Sequence, residues 1–154
     1  MSSVVIAALI LGGLGLWGAF VAWRWRDTFA LTEEVYAAKL EQGELKSTVR
    51  ADDFKDAFVR STGPRFATYI FAAGALCALL VPATIGAFNF VWDQIWYLTG
   101  EDPVFAQGLL LHSVLLIFVY GALFFAVCAL AMLRYHRNAP PSLRAEIRRL
   151  NGEI

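Results

Sequence analysis

The sequence predicts an all-α integral membrane protein with three transmembrane helices, N-out and C-in, joined to short cytoplasmic amphipathic helices. Three observations predict it. Three apolar runs, 4–23, 66–92 and 105–133, each reach the roughly 20 residues that cross about 30 Å of hydrocarbon. Hydrophobic residues make up 58% of the chain, too many for an ordinary soluble domain, and they are concentrated in those runs. All 13 Lys and Arg lie within 24–65 or 134–149, and none in 1–23 or 66–133. Under the positive-inside rule this places the N-terminus and the loop 93–104 outside, and the segment 24–65 and tail 134–154 in the cytoplasm.

The span 4–23 lacks a basic flank before it and an A-x-A-like cleavage site after it, so it is expected to remain as an N-out anchor rather than leave as a signal peptide. Gly13-Leu14-Gly15-Leu16-Trp17-Gly18 satisfies the G-x-G-x-x-G pattern in form only. A dinucleotide site needs a preceding strand and a polar phosphate pocket, and here the glycines sit in an apolar run. At 100° per residue Ala8, Gly12, Gly15, Ala19 and Ala22 form a seam of small residues, the kind that lets another helix approach closely.

The segment 24–65 predicts two short helices. Leu31, Val35, Ala38 and Gln42 recur at helical spacing, and Gly43 is placed to end the first. The second begins near Asp52, a candidate cap, presents Phe54, Ala57 and Phe58 on one face, and stops before Gly63-Pro64. Two such helices are too small to bury a core of their own, so they are expected on the membrane surface or against another protein.

The span 66–92 carries Gly74, Ala78, Ile85 and Asn89 on one face. Pro82 deprives the Ala78 carbonyl of its helical donor, which predicts a kink near mid-membrane. The freed carbonyl and Thr84 make a polar spot read as part of that kink, and Asn89 is expected to be satisfied by water or the loop. Trp23 and Trp25 on the inner side, and Trp92, Trp96 and Tyr97 on the outer, read as interfacial anchors.

In the span 105–133, His112 is the ionisable residue well inside a run, about two turns from Phe105, and intramembrane ionisable groups are candidates for function. Haem ligation normally calls for a second strong ligand. His136 lies about 36 Å away along a helix rising 1.5 Å per residue, so the two cannot hold one haem within this chain. A hydrogen bond to a quinone carbonyl, or to a neighbouring helix, remains open.

The tail 134–154 has Pro140-Pro141, then Ser142 placed to cap a last helix through Leu150. There Arg144, Arg148 and Arg149 ride beside Leu143, Ile147 and Leu150 in the manner of an interfacial helix. Arg24, Arg26, Arg134 and Arg137 flank the spans and are expected to contact lipid headgroups. Three of the 13 acids, Asp93, Glu101 and Asp102, lie outside; the remaining ten face 13 cations inside, a net +3 suited to anionic phospholipid. Cys77 and Cys128 both lie in apolar spans, so no extracytoplasmic disulfide is available. Arg outnumbers Lys ten to three and Ala and Gly are frequent, a bias common in GC-rich bacterial genomes. The expected location is a bacterial inner membrane.

No catalytic or metal motif occurs in the chain, and its spans lack the acid and base relays of pumps and carriers. The sequence therefore predicts neither an enzyme nor an autonomous carrier, and no nucleic acid or soluble substrate as partner. It predicts one membrane domain, 1–154, serving as a non-catalytic accessory subunit of a larger assembly, most readily an energy-transducing respiratory or photosynthetic complex. Two alternatives stand beside it: a quinone- or haem-binding protein using His112, and a small protein that self-associates through the seam.

Overall fold

The computed structural model describes residues 3–153; Met1, Ser2 and Ile154, the ends of the expected domain, lie outside the described residues. Those residues form five α-helices and a 3₁₀ turn with no strand: α1 (Ser3–Glu41), α2 (Ala51–Thr62), α3 (Arg65–Leu98), the turn Pro103–Phe105, α4 (Leu110–Arg137) and α5 (Leu143–Leu150). Three of them, α1, α3 and α4, are long and apolar enough to cross a membrane. Both cysteines are free.

α1 does not stop where its apolar run stops. From Ala19 to Gln42 there is neither Gly nor Pro, so charged residues from Arg24 onward continue the ladder of backbone hydrogen bonds. The helix ends at Gly43, whose φ of 70° suits a residue without Cβ. The Gly43 and Glu44 N–H groups donate back to Leu40 (3.1 Å) and Lys39 (3.1 Å). The same closure ends α3 at Gly100 and α5 at Gly152.

The chain divides into two compact units, 1–71 with 135–154, and 72–134. The first contains an apolar cluster of Leu45, Val49, Phe54, Phe58 and Ile147, flanked by Val35, Tyr36, Leu40, Leu143 and Leu150. This corrects the expectation that the short helices have no core of their own. They gain one because the unbroken end of α1 supplies one wall and α5 another, so four segments share the burial rather than two. Phe54 is fully buried, with Tyr36 at 5.5 Å and Phe58 at 6.0 Å between ring centroids.

Polar contacts fix the register of this cluster. The Tyr36 hydroxyl donates to the Val49 carbonyl (2.8 Å) and ties the 42–50 loop to α1. The Asn151 amide accepts from Lys46 N–H (3.0 Å) and donates to the Glu44 carbonyl (2.9 Å), while Lys46 Nζ reaches the Asn151 carbonyl (2.6 Å). The 42–50 loop and the residues that follow α5, more than a hundred positions apart in sequence, are thereby stapled together. Glu146 is buried on α5, its carboxylate 2.8 Å from the Arg149 guanidinium. Ser142 caps α5, accepting from Ala145 N–H, as its position in the sequence implies.

Asp52 does not cap α2. The helix starts one residue earlier, at Ala51, with Arg50 flanking it and no side-chain cap, so Asp52 already has helical geometry and acts only as first-turn negative charge. α2 ends at Gly63, where a Cβ would stand 2.6 Å from the Trp25 ring; only glycine lets α1 and the α2–α3 turn approach so closely.

Phe54→Ala is expected to cost about 3–5 kcal/mol, the usual range for deleting a buried aromatic ring. Amide exchange followed by mass spectrometry should show faster exchange across 44–62 and 143–150, with α4 unchanged between 112 and 130. Phe54→Leu should restore most of the protection.

Candidate functional site

His112 sits at the centre of a buried polar arrangement in the unit 72–134. Sequence spacing from Phe105 places it two turns into a helix, but α4 begins only at Leu110, so His112 lies in the first turn. Residues 103–105 form a 3₁₀ turn instead, because Pro103 lacks an N–H and Asp102 caps that turn by accepting from Val104 N–H.

The ring is 7% exposed. Its Nδ1 accepts from Gly108 N–H (3.3 Å), and Nε2 lies 3.1 Å from the Asn89 side-chain oxygen. This pair of partners selects the neutral tautomer with the proton on Nε2, which donates to Asn89. The Nδ1 bond reaches back four residues to a backbone donor in the loop just ahead of α4 and so ties that loop to the helix's first turn. Phe88 and Trp92 pack on the ring, each with its centroid 5.3 Å away. Trp92 is also buried, and its indole N–H donates to the Phe105 carbonyl (2.6 Å). Gln107 donates to Asp93 beside them.

One imidazole thus joins α3, the connecting loop and the start of α4. Both ring nitrogens are engaged, so ligation of a haem iron would first require release of Gly108 or Asn89, and a hydrogen bond to a quinone carbonyl would require release of Asn89. Among the described residues no three His, Cys, Asp or Glu side chains converge as a metal site. The arrangement does the work of a pin. Two buried polar atoms nearby in sequence, Trp96 Nε1 and Tyr120 Oη, have no hydrogen-bond partner among the described residues.

The other sequence-predicted positions are not brought together. Ala8, Gly12, Gly15, Ala19 and Gly74 are exposed and Ala78 is half-buried. A Cβ at Gly12 or Gly15 would meet nothing within 4 Å, whereas one at Gly18 would stand 3.1 Å from the Phe71 ring. The close approach within the chain therefore uses Gly18, which at 100° per residue lies about 40° from the seam's edge at Ala22 and about 80° from its centre. Pro82 lies inside α3, which is helical on both sides of it. Arg24, Arg26, Arg134 and Arg137 are exposed and form no ion pair among the described residues.

Sequence reasoning missed two things. It assigned Asn89 to water and Trp92 to the interface, although an amide at i and an indole at i+3 on one helix face, opposite a first-turn histidine, are suited to make a joint polar contact. It also missed a groove in the unit containing α1 and α2. That groove, of about 520 Å³, is lined by Trp25, Asp56, Val59, Arg60, Arg65, Thr68 and Tyr69. Its residues come from three helices, and no local pattern joins them.

Comparison with protein-family models, with curated proteins and with solved structures found no match to this chain.

Asn89→Leu and His112→Leu are each expected to destabilise the solubilised protein. A double-mutant cycle should return a coupling of about 0.6–1.7 kcal/mol, the range for side-chain hydrogen bonds between membrane helices. Unfolding measured by steric trapping in bicelles checks it; additive losses would remove the pin.

Proposed function

We propose that this chain is a non-catalytic accessory subunit of a larger bacterial inner-membrane assembly, N-out and C-in, whose spans fill a flank and whose cytoplasmic lobe braces a neighbour. The carrying observation is how little the apolar helices cover. In the most apolar stretch of each candidate span, 6%, 0% and 6% of residues are buried, for α1, α3 and α4 respectively. A carrier or channel acting alone encloses a polar path by packing its spans around it, whereas these surfaces are apolar and open. The seam around Gly12 and Gly15 adds a face to which another helix can draw near without displacing side chains. The topology is supported by the confinement of all 13 cations to one side.

The assembly expected is an energy-transducing one, respiratory or photosynthetic, since such complexes commonly include small helical subunits without a cofactor. Purification from native membranes in mild detergent through a C-terminal tag should recover other membrane chains in stoichiometric amount, and their identity names the assembly. Recovery of this chain alone, as monomer or homo-oligomer, defeats the accessory reading. Gly15→Leu should lower that recovery at least tenfold while membrane insertion is unchanged.

Orientation is checked separately. A cysteine placed at Glu101 should react with an impermeant maleimide in intact cells, and one at Glu153 only after permeabilisation. The reverse pattern would invert the proposed topology.

A further inference from the structure

We infer that the groove lined by Trp25, Arg60, Arg65 and Tyr69 binds the phosphodiester headgroup of one anionic phospholipid. It rests on the membrane-spanning reading and is independent of any partner subunit. Trp25 follows the end of one apolar run and Tyr69 lies at the start of another, and the Trp25 indole donates to the Thr68 hydroxyl (2.9 Å). Two span boundaries thus meet at one level, the level at which headgroups lie.

The walls are fixed and their donors are not used up. Thr68 accepts from Trp25 and donates to the Pro64 carbonyl (3.0 Å), which locks the side between them. Arg65 is anchored through Nη2 to the carbonyls of Asn138 and Tyr135, with the Tyr135 ring 5.4 Å from its guanidinium carbon. Its Nε and Nη1 hydrogens have no acceptor among the described residues. The Tyr69 hydroxyl accepts from the Asn138 amide (3.2 Å), leaving its own proton free to donate. Arg60 makes no hydrogen bond or ion pair among the described residues.

Charge selects the ligand. Two guanidiniums and one carboxylate, Asp56, line the groove, so its net charge of +1 matches a singly charged phosphodiester better than a phosphomonoester. The adjoining N-terminus of the 34-residue α3 adds partial positive charge. Arginine suits the role because its planar fork meets two phosphate oxygens at once. The groove's volume, about 520 Å³, exceeds that of a phosphoglycerol headgroup and is open enough for acyl chains to leave along Trp25.

The test uses the full chain, released from nanodiscs containing phosphatidylglycerol and a tenfold excess of phosphatidylcholine and weighed by native mass spectrometry. The expected result is one phosphatidylglycerol retained per chain. Arg60→Gln, which breaks no hydrogen bond or ion pair among the described residues, should weaken retention at least fivefold, and Arg60→Gln with Tyr69→Phe at least tenfold. Lys55→Gln removes the same single charge from an exposed site on α2 and should change retention less than twofold. Unchanged helicity and melting temperature of Arg60→Gln confirm that the site, not the fold, is altered. Retention of phosphatidylcholine in equal measure, or equal weakening by Arg60→Gln and Lys55→Gln, overturns the inference. Displacement by a thousandfold excess of glycerophosphoglycerol, the soluble phosphodiester headgroup without acyl chains, overturns the lipid as the source of the phosphate.

Discussion

A helix ends where its backbone hydrogen bonds can no longer be continued, not where its hydrophobicity falls, and the first unit depends on that difference in α1. Between Ala19 and Gln42 nothing interrupts the ladder, so a helix that begins in an apolar run carries Val35, Tyr36 and Leu40 past Arg24 and Arg26 to meet Phe54. Without that rigid extension, α2 and α5 together present one face each and nothing to close them. With it, Leu45, Val49, Phe54, Phe58 and Ile147 leave water together. At roughly 1.5–3 kcal/mol for each fully buried large apolar side chain, such a cluster offsets the entropy of ordering two short helices and a loop.

The closing contacts are polar and specific for the same reason. Apolar burial is indifferent to register, so Asn151 and Tyr36 decide it by reading backbone atoms at Glu44, Lys46 and Val49. An asparagine amide presents a donor and an acceptor side by side, as a strand edge does, and it docks the end of the chain on a loop more than a hundred residues away in sequence. Hydrophobic periodicity around Leu143 and Ile147 reads equally well as an interfacial helix. What it lacks is any mark of Asn151's partners.

Local features were legible where the physics is local. The three long helices follow from apolar length, the ends at Gly43 and before Gly63-Pro64 from backbone sterics, and the Ser142 cap from side-chain reach. Asp52 misled because two adjacent positions can each begin a helix, and the cap belongs to whichever flanks it. His112 was identifiable as a candidate, but its depth depended on where α4 starts. Pro103 and Asp102 moved that start to Leu110 by forming a separate turn. The pairing with Asn89 and the groove at Arg60 were illegible because each joins helices far apart in sequence, and periodicity records a face without saying what it meets.

The two polar arrangements differ in what they leave over, and that difference separates structure from binding. At His112 each ring nitrogen has a partner, the tautomer is fixed, and aromatic rings from Phe88 and Trp92 close the sides. A ligand there would have to outcompete bonds already made in a medium of low polarity, where an orphaned donor or acceptor is costly. In the groove at Arg60 the Thr68 hydroxyl and the Tyr135 and Asn138 carbonyls already accept from the groove's own side chains, Asp56 is a single carboxylate beside two guanidiniums, and the N–H groups of Arg60 and the O–H of Tyr69 remain. A surface left with surplus donors and a net positive charge beside a span boundary is completed by an anion that brings acceptors of its own. The phosphodiester of a membrane lipid does that at the level where headgroups lie.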